Sequence, residues 1–268
     1  MSIHPTAVIA RTVELDANVT VGPYCVLEGQ VRIAGGCRLF HNVFVTGWTQ
    51  IESDCELHPG VIVGHSPQYL KYKGDRSFCR IGKGAILREY VTVHRGTVPE
   101  SETVVGESCF LLGGSHVAHN CKLGKGVTLV NGVLLAGHVQ VHDGATLGGA
   151  AVVHQFVRIG ERAMVMGNSR IQMDVPPFAM VDEDGRVCGL NRIGMRRAGM
   201  SHAQLDELRK AYRILYGSQL PFREAITRLS HEVTGDAGRT LLNFLQADSR
   251  RCITGRSRRA VAQSPSGD

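Results

Sequence analysis

The sequence predicts an all-β left-handed parallel β-helix of about ten triangular coils with a small α-helical domain behind it. Three observations carry this. Aliphatic residues recur every six positions, small or β-branched residues stand four places after them, and the 268 residues hold 32 Gly but only 1 Trp, 6 Tyr and 8 Phe. A core so poor in aromatics is assembled from aliphatic and small side chains, as a repetitive fold requires. The 43% hydrophobic content supplies a sizeable core and excludes a disordered chain.

Stepping by six from Ile3 meets eleven aliphatic residues in succession, ending at Val63. The register pauses over 64–80, resumes in phase at Ile81, Leu87 and Val93, pauses over 94–104, then runs from Val105 to Ile171 without a miss. Because both gaps keep phase, they read as loops extruded from one continuous prism, and such loops often carry function. Three hexads close one coil, so residues 18 apart stack, adjacent coils pair in parallel, and Gly, Asn and Asp serve the corners. Six of the 8 cysteines, Cys25, Cys37, Cys55, Cys79, Cys109 and Cys121, fall at the small inward position and are expected to be core thiols, not a disulfide framework.

The prism domain is placed at 1–188, with its exit at Asp174-Val175-Pro176-Pro177. Over 189–249 the period becomes helical. Ser201 caps a helix through Tyr216 closed by Gly217, and helical apolar spacing follows near 221–232 and 236–249. Residues 250–268 are polar and basic and are expected to be disordered. Of the net charge of +6, Arg250, Arg251, Arg256, Arg258 and Arg259 against Asp268 place +4 in these last 19 residues, which read as solvated and not as a nucleic-acid site. No run of 18 apolar residues occurs, and Met1-Ser2-Ile3-His4-Pro5 lacks the basic-then-apolar order of a leader. A soluble cytoplasmic protein without membrane insertion is expected.

Chemistry is sought among 12 histidines. His41, His58, His94, His116, His119, His138, His142 and His154 avoid the anchor and small-core positions, so all are expected to face outward or sit at corners. Stacking selects among them: His119, Gly137 and Gln155 share one column, with His138 and His154 beside it and His116 three residues before His119. An imidazole under a glycine suits general-base attack, the ring taking a hydroxyl proton while the glycine N–H meets the developing oxyanion. Imidazoles from adjacent coils also suit zinc or iron, but no Cys or acidic residue completes such a set, so no metal and no cofactor are expected.

Several separated motifs then stand in order: Val93-His94-Arg95-Gly96-Thr97, His116-Val117-Ala118-His119-Asn120-Cys121, Leu135-Ala136-Gly137-His138-Val139, Val153-His154-Gln155-Phe156 and Asp174-Val175-Pro176-Pro177. With Leu70-Lys71-Tyr72 in the first loop and Asn191 through Arg197 at the start of the helical part, nearly the whole chain resembles the UDP-N-acetylglucosamine 3-O-acyltransferase family, which begins lipid A synthesis. The resemblance implies transfer of a 3-hydroxyacyl group from acyl carrier protein to the 3-hydroxyl of UDP-N-acetylglucosamine, with no covalent intermediate. It assigns His119 as general base, Gly137 as oxyanion amide and Asn120 as the residue orienting the ring. Lys71, His116, His138, His154 and Gln155 match contacts to sugar nucleotide or acyl chain, and Asn191 and Arg197 match uridine-side and phosphate-side contacts. Met166, Gly167 and Arg170 fall in the region that sets acyl length. The family is a homotrimer with sites in the clefts between prisms. Its carrier protein is acidic, which makes Arg158, Arg162 and Arg196 docking charges.

Two positions depart from the family pattern. Asn120 stands where an acidic residue usually follows the catalytic histidine, and Tyr69 where an aspartate usually precedes the lysine by two. An amide orients the ring without stabilising its cation, and a lost carboxylate alters the sugar contacts. These departures keep a second acceptor open, a sugar nucleotide such as the 3-amino analogue. A hydratase of the gamma-class carbonic anhydrase kind, which shares the helix, is a third reading.

Overall fold

A computed structural model describes residues 2–257. Three sheets of 11, 9 and 8 short strands form the faces of a triangular prism, parallel and taking every third strand in chain order as far as Arg170–Ile171. Partners stand 18 residues apart where coils are regular, as in Ser2↔Thr20 and Leu135↔Val153. The step widens across the two pauses, to Val63↔Val93 and Ile81↔Val105, and each widening is a multiple of six. The ladder therefore runs on while 66–77 and 95–101 leave the prism as loops.

The anchors point inward. Leu27, Ile33, Leu57, Leu87, Leu111, Leu129 and Leu147 are fully buried, each contributing about 1.5–3 kcal/mol of transfer free energy. Ile3 departs from this at 42% exposure, because the first coil has no coil beneath it. The six cysteines of the small position are buried and free. Cys25 donates to Phe40 O at 2.8 Å and Cys121 to Ala136 O at 3.1 Å, and burial pushes the Cys79 and Cys121 thiols up to about 12, so they stay protonated. Corners use the left-handed backbone, as expected at Asn18, Asn42 and Asp54, but also at Tyr24, Tyr90, His138 and Phe156. A side chain in this region costs roughly 1–2 kcal/mol, which the ladder on either side offsets.

The last strand of the first sheet, Val187–Leu190, pairs antiparallel with Ala179–Val181 and closes the prism. Four helices follow: α1 (Arg192–Arg197), α2 (His202–Gly217), α3 (Phe222–Glu232) and α4 (Asp236–Gln246). Ser201 and Gln204 form a reciprocal capping box at α2, while α4 stops three residues short of the expected 249, where the chain turns extended at Ala247. The cap docks through buried Leu205, Leu208 and Tyr212, whose hydroxyl donates to Pro177 O at 2.6 Å. No described helix is long and apolar enough to cross a membrane.

Three expectations are corrected. Arg158 is not a docking charge, because its guanidinium is buried under Phe244 and paired at 2.7 Å with Asp174. His94 lies outside the prism core but is not a surface group: it is 5% exposed, packed between His65 and His116. The segment expected to be disordered from Arg250 is ordered as far as Ser257. Ile253 bridges Asp174, Arg256 bridges Val187, and Thr254 is 1% exposed. Residues 258–268, including Arg258 and Arg259, lie outside the described residues.

Candidate active site

The site grows from one corner of the prism, where Asn120, His138 and Phe156 stack in a column of left-handed residues at φ 62°, 62° and 66°. Each stands one coil above the last. That conformation turns the chain sharply and throws the preceding residues, His119, Gly137 and Gln155, into a second column on the outer surface. Gly137 is the tightest point of the stack. A Cβ there would lie 2.3 Å from His119 Cε1 and 2.7 Å from its Nε2, so the His119 ring rests against bare backbone. The Gly137 N–H has no hydrogen-bond partner among the described residues, although its neighbours Ala136 and His138 both donate into the ladder.

The ring of His119 is held by a short relay. Asn120 Oδ1 stands 3.0 Å from His119 Nδ1 and accepts from Thr97 Oγ1 at 2.8 Å, while Asn120 N donates to Thr103 Oγ1 at 2.7 Å. An amide oxygen only accepts, so Nδ1 carries the proton and Nε2 presents a free lone pair. Thr97 and Thr103 come from the second loop and the strand after it, and through Thr97 that loop brings a hydroxyl to the amide that orients the His119 ring.

Around His119 lies a cleft of about 380 Å³ lined by Gln68, His94, His116, Leu134, Gly137 and Val152 among others. His116 is fixed by a 2.6 Å contact between Nδ1 and Thr92 Oγ1, and burial with the charge of His119 lowers its pKa. His94 meets His116 edge-on at 4.8 Å and is pushed down to about 4, chiefly by desolvation and then by its neighbouring histidines. Its Nδ1 is buried without a partner. His138 stacks on Phe156 at 4.7 Å and meets His119 edge-on at 5.3 Å, and its pKa is lowered by burial, by His119 and by Arg250. Burial thus biases His94, His116 and His138 toward the neutral form, which accepts or donates hydrogen bonds without adding charge. Among the described residues no three His, Cys, Asp or Glu side chains group as a metal site.

The first loop closes one side. Buried Arg95 pins it by donating to Gly64 O at 2.8 Å, Tyr72 Oη at 3.0 Å and Ser66 Oγ at 3.3 Å. This sets Tyr69 against His119 at 5.9 Å between ring centroids, while Leu70 and Lys71 are exposed. Away from the loop, His116, Leu134, Val152 and Arg170 form one column of paired residues, an apolar strip with an exposed arginine at its far end. Gly167 is exposed, and a Cβ there would press only slightly on Gly149 O at 3.2 Å, while Met166 is 40% exposed.

The structure thus brings His116, His119, Asn120, Gly137, His138 and Tyr69 together and sets His154 and Gln155 one coil further on. Asn191 and Arg197 are apart from the cleft. The Asn191 amide is engaged locally, its Oδ1 accepting from Gly194 N to cap α1 and its Nδ2 donating to Arg162 O, and Arg197 is exposed in the last turn of that helix. His142 packs on Phe244 and belongs to the cap contact. Sequence reasoning missed the roles of Thr92, Arg95 and Thr97. The signal was present for one of them: Thr92 pairs with His116, 24 residues on, once the six extra residues of the second loop are allowed for.

A family model described as UDP N-acetylglucosamine O-acyltransferase, domain 2, matches residues 174–254, and a bacterial transferase hexapeptide model of six repeats matches 102–137. A protein named acyl-[acyl-carrier-protein]--UDP-N-acetylglucosamine O-acyltransferase from Thermodesulfovibrio yellowstonii is 41% identical over 251 residues, covering 92% of this chain and 97% of its own. One of the same name from Synechocystis is 41% identical over 92% of this chain and 90% of its own. Among solved structures, LpxA from Acinetobacter baumannii superposes with a TM-score of 0.91 at 34% identity, over 95% of this chain and 100% of that one. The UDP-N-acetylglucosamine acyltransferase of Francisella novicida gives 0.91 at 30% identity, over 98% and 99%.

Proposed function

Because this chain belongs to the UDP-N-acetylglucosamine O-acyltransferase family, we propose that it transfers a 3-hydroxyacyl group from acyl carrier protein to the 3-hydroxyl of UDP-N-acetylglucosamine, the opening step of lipid A synthesis. The sugar hydroxyl gives its proton to His119 Nε2 as its oxygen attacks the thioester carbonyl. The Gly137 N–H donates to the oxyanion that forms, the C–S bond breaks, and His119 returns the proton to the departing thiolate. The ester is made directly, with no acyl-enzyme. Asn120 keeps the Nδ1 proton in place throughout, and as a neutral amide it orients the ring without adding charge. The observation that carries this reading is the close packing of His119 on Gly137, which sets a base and an unpartnered amide against each other.

The remaining assignments follow from it. His116, His138, His154, Gln155, Tyr69 and Lys71 line the path of the substrates, and the apolar strip of Leu134 and Val152 takes the start of the acyl chain, with Met166, Gly167 and Arg170 near its end. Asn191 and Arg197 meet the nucleotide from a neighbouring prism of a homotrimer. That arrangement is supported by the exposure of Leu70, at 105%, and Leu134, at 46%, on the open side of the cleft, where a second prism would cover them. Carrier protein and nucleotide sugar are cytoplasmic substrates, and the enzyme acts there without a cofactor.

The test is turnover of a 3-hydroxyacyl carrier protein series against UDP-N-acetylglucosamine and its 3-amino analogue in one assay, with His119→Ala alongside. Acylation of the ordinary sugar, abolished in the variant with its melting temperature and oligomeric state kept, supports the proposal. Reaction of the analogue alone would make Tyr69 and Asn120 the marks of a different acceptor, and turnover unchanged in His119→Ala would remove the mechanism.

A further inference from the structure

After α4 the chain returns to the prism as a strap. Ser249 Oγ donates to Asp174 Oδ2 at 2.6 Å, Asp174 N to Cys252 O at 2.9 Å, and Thr254 N to Asp174 O at 2.9 Å, while the Tyr216 hydroxyl donates to Thr254 O at 3.0 Å. Asp174 is itself fully buried and paired with Arg158 at 2.7 Å. The backbone is thereby fixed on both sides of Arg250 and Arg251, and their side chains are aimed at the corner above His119. The Arg250 guanidinium lies 4.4 Å over the Phe156 ring, which in turn stacks on His138. Arg251 Nη2 stands 2.6 Å from His154 Nδ1, and its Nε donates to Gln155 O at 3.1 Å.

Two groups compete for Nδ1: the Gln155 carbonyl, an acceptor at 3.4 Å, would draw the proton there, whereas a guanidinium has donors and no acceptor, so the much shorter Arg251 contact makes Nδ1 the accepting nitrogen and leaves the ring proton on Nε2. The fork also reaches two adjacent residues at once, which a lysine ammonium on a flexible stem does not reproduce. We infer that Arg251 is a positioning residue: the strap 249–256 holds His154 as its Nε2–H tautomer, a fixed hydrogen-bond donor beside two arginines that meets a phosphate oxygen of a substrate. The inference rests on the acyl-transfer reading for the ligand that the donor meets and not for the tautomer. Phosphate is carried both by the sugar nucleotide and by the phosphopantetheine arm of carrier protein, and the kinetics separate them.

The experiment uses the full chain, labelled with nitrogen-15, as wild type, Arg251→Ala, Arg251→Lys and, as an equal charge change within the same strap, Arg256→Ala. In imidazole proton–nitrogen correlation spectra, with His154 assigned by His154→Gln, wild type and Arg256→Ala show His154 protonated on Nε2 alone. Arg251→Ala and Arg251→Lys show tautomers in exchange. Losing a charge-assisted hydrogen bond corresponds to a roughly ten-fold rise in KM with kcat within about two-fold, and the lysine variant recovers little of it. A rise for UDP-N-acetylglucosamine places the phosphate on the nucleotide, and a rise for acyl carrier protein places it on the phosphopantetheine. An unchanged His154 pattern in Arg251→Ala, or a lowered melting temperature with both KM values unchanged, overturns the inference and leaves the strap as structure alone. If wild type itself fails to acylate the sugar, it is the functional reading that fails, while the tautomer pattern still decides the role of Arg251.

Discussion

Gly137→Ala separates the geometry of the site from the stability of the fold. The added methyl would lie 2.3 Å from His119 Cε1, 2.7 Å from Nε2 and 2.9 Å from Nδ1, so the ring must retreat by more than 1 Å to reach ordinary contact, about 3.5–4.0 Å between carbons. The ring is half-buried and Gly137 does not use the left-handed backbone, so the fold accommodates the methyl by moving a side chain and not the coil. The relay does not. Its contact with Asn120 is 3.0 Å long, and a ring displaced by an ångström loses either that bond or its line to the acceptor hydroxyl. Misplacement on this scale costs on the order of 100-fold in kcat, about 2.7 kcal/mol of barrier. The assay is single-turnover acylation of UDP-N-acetylglucosamine with saturating acyl carrier protein, beside thermal denaturation. The control is Gly217→Ala, where the new methyl meets only Arg213 Cγ at 3.5 Å. The expected result is a two-decade loss of rate with a melting temperature close to wild type. A rate within three-fold of wild type would refute the account, because the methyl cannot share that space with a catalytic ring.

Three further outcomes follow from the same contacts. Asn120→Ala strips the acceptor from His119 Nδ1 and Thr97 Oγ1, and kcat should fall about ten-fold in steady-state assays, the worth of one neutral hydrogen bond. For His94, a folded pKa of about 4 lies below the usual 6.5, so the unfolded chain binds the proton first: its contribution to stability is complete above pH 6.5 and is lost as pH falls toward 4. Denaturant melts at pH 7 and pH 4.5 should show wild type losing about 2 kcal/mol more than His94→Gln, and equal losses would mean the ring is not held neutral. Asp174→Ala leaves the 9%-exposed Arg158 guanidinium without its partner and releases Ser249, so chemical denaturation should register a loss of about 3–5 kcal/mol.

The prism was legible because its code is local. Every hexad repeats the same inward and outward alternation, so Ile33 or Leu129 needs no distant partner to declare its direction. The column of His119 and Gly137 followed from the same arithmetic, since stacking at 18 residues is a property of the coil. Neither loop offered such a period. That 66–77 is pinned beside the cleft, or that 95–101 brings Thr97 to Asn120, depends on Arg95 finding the Tyr72 and Ser66 hydroxyls and on a hydroxyl meeting an amide across 23 residues.

The chain end was hardest. Its composition, basic and polar, is that of a solvated tail, and composition alone carries no record of a contact between Arg251 and His154, 97 residues apart. Asn191 adds a second case: its motif resembles a substrate contact, and the capping of α1 by its amide is a further role that the motif does not announce. The sequence by itself therefore determined the coil, its core and the column of His119 and Gly137, because these repeat at a fixed spacing along the chain. Only the tertiary structure decided which hydroxyl, guanidinium or amide serves that column, because such contacts are single events between distant residues, closed by hydrogen bonds that leave no periodic trace.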